Sequence, residues 1–123
     1  MTASLRIAHC SDIHLDGDGY HQSQGGDARM VYRDAFARAL ATMRGHQPDM
    51  MLIAGDLFDA NTASPGTIEW SMTMLEQQPF PIVMIPGNHD CMGGDAIYRR
   101  YDFNQIRNVE NLTSESGEIA YGE

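Results

Sequence analysis

Only two cysteines, Cys10 and Cys91, occur among the 123 residues. They cannot build a disulfide framework, and a reducing cytoplasm is the expected compartment. No apolar run approaches the ~20 residues that would span a bilayer, so no membrane segment is expected. The first residues, MTASLRIAHCSD, lack the long apolar centre of a signal peptide. Without such a signal, the glycosylation sequon Asn111-Leu112-Thr113 carries no weight. Positive charge is scarce too. Eight basic residues face seventeen acidic ones, a formal net charge of −9. That balance argues against simple electrostatic capture of nucleic acid or anionic lipid. It leaves room for a polyanionic substrate, because bound divalent cations reverse the local field. Internal repeats, low-complexity tracts and linkers are also missing.

What remains is an ordinary globular balance, 42% hydrophobic and 20% charged, in a length suited to one domain with a modest core. Leu5-Arg6-Ile7-Ala8-His9-Cys10 is a mostly apolar run that stops at Ser11-Asp12 and reads as a strand. A polar loop follows, holding Gly17, Gly19, Gly25 and Gly26. ARMVYRDAFARALATMR then begins near Asp27, a suitable helix cap. Its Tyr32, Phe36, Ala39, Leu40 and Met43 fall at helical spacing, and Gly45 suits the helix end. Met50-Met51-Leu52-Ile53-Ala54 is the second strand, so continuously apolar that cover on both faces is expected. Ser64-Pro65 opens a second helix, serine as cap and proline in the first position. Ile68, Met72 and Leu75 share one face of it, and it ends before Pro79. PIVMI, residues 81–85, is the third strand. DAIYRRYDFNQI reads as a short helix, and residues 108–112 and 118–121 as short strands.

Strand, helix, strand, helix, strand predicts a doubly wound α/β unit with parallel strands. Ligands in such sheets bind at the carboxyl ends of the strands. Three polar clusters lie at such ends: SDIHLD (11–16), GDLFD (55–59) and GNHD (87–90). Parallel strands gather them at one edge of the sheet. Carboxylate, imidazole and amide oxygen are the donors of a mixed N/O divalent metal site. Singly, each cluster has an ordinary explanation. Asp56 suits a turn or a cap, and GNHD suits a turn opened by Pro86-Gly87. Three clusters at three successive strand ends are not explained that way.

In this order and at these positions, D-x-H, G-D-x-x-D and G-N-H-D make the sequence resemble the calcineurin-like metallophosphoesterase superfamily. The match runs from Leu5 to about Cys91. IAHCSDIHLD, GDLFD followed by Ser64-Pro65, and NVENLTSESGEI look most like its SbcD-type DNA-repair exonuclease branch. The resemblance implies a fold: the βαβαβ half of a sheet sandwich flanked by helices, with residues 1–123 as the N-terminal portion of a single domain. It implies two divalent ions, manganese first, with iron or zinc as alternatives. Asp12 and His14 would bind the first ion, Asp56 would bridge both, and Asn88 would bind the second through its amide oxygen. Water would attack phosphorus in line, with the ions stabilising the attacking and leaving oxygens. His89 would protonate or stabilise the leaving oxygen without binding metal. Asp59 would orient His89 as a carboxylate–imidazole pair. Asp90 would brace the loop. Implied partners are DNA or another phosphodiester, a second copy of the chain, and an SMC-like ATPase.

Other features take plainer readings. His9 is expected in the core, His21 in solvent, and His46 at a helix end that favours an imidazole. Asp16-Gly17-Asp18-Gly19 has the look of a calcium loop. An EF-hand would need Glu at position 25, which is Gly. Cys10 and Cys91 are expected as small buried hydrophobes, and Arg99-Arg100 as a solvated helix face.

The family pattern also calls for later histidines, a lone one and then a G-H-x-H pair. The five histidines are His9, His14, His21, His46 and His89, and none follows His89. The first metal keeps Asp12, His14 and Asp56; the second keeps only Asp56 and Asn88. The expectation is an N-terminal piece of a longer nuclease acting on DNA ends, with sheet faces exposed where a second sheet would lie. The alternatives are half of a site completed by another chain, a phosphodiesterase for a small nucleotide, and a non-catalytic scaffold.

Overall fold

The structure, a computed structural model, describes residues 3–17 and 28–113. Four strands form one parallel sheet in the order β1-β2-β3-β4. They are β1 (Ile7–Cys10), β2 (Met50–Ala54), β3 (Ile82–Ile85) and β4 (Val109–Asn111). Helix α1 (Ala28–Gly45) joins β1 to β2, and α2 (Pro65–Glu76) joins β2 to β3. The short α3 (Ile97–Arg100) and a 3-10 turn, Phe103–Gln105, lead to β4. The proposed cap Asp27, the loop histidine His21, Asp18, Gly19 and the strand expected at 118–121 lie outside the described residues.

The helix starts follow their local chemistry. Ser64 is extended (φ −67°, ψ 148°), and its hydroxyl accepts the Thr67 N–H at 3.3 Å, with Pro65 in the first turn. Thr67, Ile68, Ser71 and Leu75 form the buried stripe of α2 at helical spacing. Phe36 and Leu40 do the same for α1. Those stripes meet the sheet through Met51, Ile53, Ile82, Met84 and Val109, all in the one core cluster. Full burial of a Leu, Ile or Phe contributes about 1.5–3 kcal/mol each.

One expectation is corrected. The unit is not doubly wound, because the strand order never reverses. Right-handed crossovers between strands taken in sequence place every connection on the same face. The register confirms the consequence. Ala8, Met51, Ile82 and Val109 are aligned across the sheet and turn to the core, whereas the next row, His9, Leu52, Val83 and Glu110, turns away. β2 is therefore well covered on one face only: Met51 and Ile53 are buried, Met50 and Leu52 half-buried. On the uncovered side Ile7 and Ile85 are 45% and 43% exposed. His9, expected in the core, lies exposed on that face. Among the described residues no helix is long and apolar enough to cross a membrane.

Candidate metal centre

Beyond the sheet edge, the segments following β1 and β2 stay paired. Asp12 N–H donates to Gly55 O, His14 N–H to Asp56 O, Leu15 N–H to Leu57 O, and Asp59 N–H returns to Leu15 O. This ladder sets D-x-H directly beside G-D-x-x-D. Buried Leu15, Leu57 and Phe58 anchor it from beneath, so the polar residues between them face outward. Asp12, His14, Asp16 and Asp56 all adopt left-handed backbone, with φ of 56°, 54°, 68° and 57°. Such conformations concentrate at functional sites, where they cost about 1–3 kcal/mol each.

The third cluster is fastened to the second by two carboxylates. Asp56 Oδ1 accepts the His89 N–H at 2.9 Å. Asp90, fully buried, accepts N–H groups from Gly87 (2.7 Å), Asp56 (3.2 Å) and Phe58 (3.2 Å), and the Tyr98 hydroxyl at 2.6 Å. Gly87 has to be glycine, since a Cβ there would strike the Asp56 carboxylate and backbone nitrogen. Burial, reinforced by the Asp90 charge, raises the Tyr98 phenol well above the usual tyrosine range. Asp16 makes a separate tie, accepting the Ser64 N–H and the Thr67 hydroxyl at 2.7 Å each.

Two groups of donors converge, each with ligand atoms within 4.8 Å of one another: Asp12, His14 and Asp56, and His14, Asp59 and His89. Two carboxylates and an imidazole suit a divalent ion such as manganese, iron or zinc. The first group therefore fits the metal expected from the sequence. Asn88 stands exposed on the same turn as His89. One expected contact is made differently. The Asp59 carboxylate does not meet His89; its Oδ1 lies 3.2 Å from His14 Nδ1. His89 Nδ1 instead meets the backbone carbonyl of Asp59 at 2.9 Å. A carbonyl only accepts, so that nitrogen carries the hydrogen and Nε2 is left free.

The family profile for calcineurin-like phosphoesterases matches residues 5–121. The chain belongs to that family. Among curated relatives, this phosphoesterase chain is 33% identical over 93 residues to the SbcD component of the SbcCD nuclease of Escherichia coli (strain K12), covering 72% of the chain and 22% of the relative. It is 29% identical over 95 residues to the DNA double-strand break repair protein Mre11 of Archaeoglobus fulgidus, covering 74% and 20%. It is 32% identical over 88 residues to a "probable cyclic nucleotide phosphodiesterase" of Pseudoalteromonas sp. (strain SM9913), covering 72% and 32%. The phosphoesterase chain thus spans a third or less of the length of these relatives.

Two residues gained roles that the motifs did not announce. Tyr98 lies in a four-residue helix with no distinguishing pattern, and Asp16 sat in what resembled a calcium loop. Cys91, expected to be buried, is exposed beside Asn61, whose amide donates to the Cys91 carbonyl at 3.1 Å. Arg99 and Arg100 are exposed as expected, yet fastened. Arg99 donates to the carbonyls of Met92 and Gly93, and Arg100 to that of Asn61.

Proposed function

We propose that this phosphoesterase chain carries the first part of a two-metal site that hydrolyses phosphodiesters in DNA, as a repair-type nuclease, within the N-terminal portion of a single catalytic domain. The observation that carries it is the convergence of Asp12, His14 and Asp56 at adjacent strand ends. The similarity to two DNA-repair proteins supports the substrate class. Asp12, His14 and Asp56 would hold the first ion, Asp56 and Asn88 the second. Manganese is the expected ion, iron and zinc the alternatives. When bound, such ions act as Lewis acids on phosphoryl oxygens and make water a competent nucleophile near neutral pH.

The remaining residues orient the site and move protons. The Asp59 carbonyl fixes the His89 ring, so Nε2 is the nitrogen presented to substrate. Once protonated there, His89 can hand that proton to the leaving oxygen. Asp56 holds the His89 backbone through Oδ1 and so sets the distance between bridging carboxylate and acid. Proposed partners are DNA, a second copy of the chain and an SMC-like ATPase, in the cytoplasm. The test is hydrolysis by the natural polypeptide that contains this chain, supplied with manganese. Asp56→Asn should abolish cleavage of DNA ends and of a simple phosphodiester, and full retention of activity would overturn the assignment.

A second reading, hydrolysis of a small nucleotide phosphodiester, is favoured by the similarity to the Pseudoalteromonas protein. The same ligands serve both chemistries. Comparing duplex DNA with cyclic nucleotides in one assay separates them.

A further inference from the structure

Asp59 sits between two imidazoles. Its carbonyl holds His89, and its carboxylate faces His14. The rings of His14 and His89 are edge to face, with centroids 4.8 Å apart. His14 Nε2 lies on the other side, 3.7 Å from Asp12 Oδ1. Its Nδ1 is buried and has no formed hydrogen bond, although Asp59 Oδ1 stands 3.2 Å away and out of line. A buried ring nitrogen left unpaired is costly. Contacts of this kind are often loose before the site is loaded and tighten afterwards.

We infer that Asp59 is a positioning residue for His14, its carboxylate keeping the hydrogen on Nδ1 so that the Nε2 lone pair is presented to an ion shared with Asp12 and Asp56. A neutral imidazole has one donor and one acceptor nitrogen. A carboxylate can only accept, so it selects the tautomer in which Nε2 is the ligand. Carboxylate–histidine–metal arrangements of this sort orient the ring and raise its basicity. One residue then serves both rings by different atoms, its side chain for the metal ligand and its main chain for the proton donor. The inference rests on reading Asp12, His14 and Asp56 as metal ligands.

The test uses the metal-stripped chain labelled with ¹⁵N-histidine, followed by calorimetric titration with manganese. In the unsubstituted chain, His14 should appear as the Nδ1–H tautomer; an Nε2–H tautomer overturns the inference with no substitution needed. Asp59→Asn keeps the carbonyl that His89 uses, and it should weaken manganese binding by about 10–100-fold. Asp59→Glu should recover part of that loss, while His89→Ala should leave most of the affinity intact. Equal affinity in the parent and Asp59→Asn overturns the inference but leaves the ligand assignment standing. Equal losses from Asp59→Asn and His89→Ala, with none from Asp12→Asn, would place the ion among His14, Asp59 and His89 and overturn it as well. Failure of the unsubstituted chain to bind manganese removes the ligand assignment and the inference together.

Discussion

The Tyr98 hydroxyl donates to the Asp90 carboxylate at 2.6 Å, beneath the turn that carries Asn88 and His89. Asp90 cannot reach water, so this bond and three backbone N–H groups are its whole solvation. Tyr98→Phe should lower stability by about 1–3 kcal/mol, the usual cost of leaving a buried acceptor short of a donor. Urea denaturation measures it.

The same pair sets an alkaline limit. The buried phenol holds its proton beyond the pH at which a free tyrosine, near 10.0, releases it. Above that pH unfolding releases a proton, so this contribution is complete below 10.0 and declines as pH rises further. Melting temperatures between pH 8 and 11 should fall more steeply for the parent than for Tyr98→Phe.

Gly87→Ala should damage the site more than its size suggests. The new methyl group must displace the Asp56 carboxylate or its backbone nitrogen. Overpacking of this kind costs about 1–3 kcal/mol. Manganese affinity should drop along with stability, whereas Gly66→Ala, with open space around it, should leave both unchanged.

Asp16 and Ser64 jointly cap α2. Asp16→Ala removes acceptors from the Ser64 N–H and the Thr67 hydroxyl. A loss of about 0.5–2 kcal/mol is expected, as for other N-terminal caps. In a double-mutant cycle with Ser64→Ala the losses should not add, because both acceptors serve Thr67.

Thiol labelling should separate the two cysteines. Cys91 is exposed, whereas Cys10 is partly covered and burial pushes its thiol up to about 11. The thiolate is the reactive form. Iodoacetamide should therefore modify Cys91 first at pH 8, and the Cys10 rate should keep rising with pH towards about 11. Mass spectrometry of the peptides reads both.

The sequence carried the strand ends clearly. Apolar runs stopping at Ser11-Asp12, Gly55-Asp56 and Gly87-Asn88 located Asp12, His14, Asp56 and Asn88 at one edge, because parallel pairing leaves little freedom there. It could not tell that Asp59 offers its carboxylate to His14 and its carbonyl to His89. That choice depends on side-chain rotamers and the left-handed turns at 14 and 56, which spacing does not encode. Single-sided helix packing was missed because strand order is a long-range property. An apolar run such as Met50–Ala54 reads the same whether one face or two are covered. His9 was misplaced for the same reason.

The alternating left-handed residues Asp12, His14 and Asp16 restrict what can stand in this loop twice over. The backbone selects first: apart from glycine, it is Asn, Asp and His that are enriched at such φ values. The metal selects second, and its preferred donors fall within that short alphabet. Glutamate would offer the same carboxylate at position 12, but without that enrichment at a φ of 56°. The ligand types at 12 and 14 are therefore set by the shape of the chain as much as by the ion they would hold.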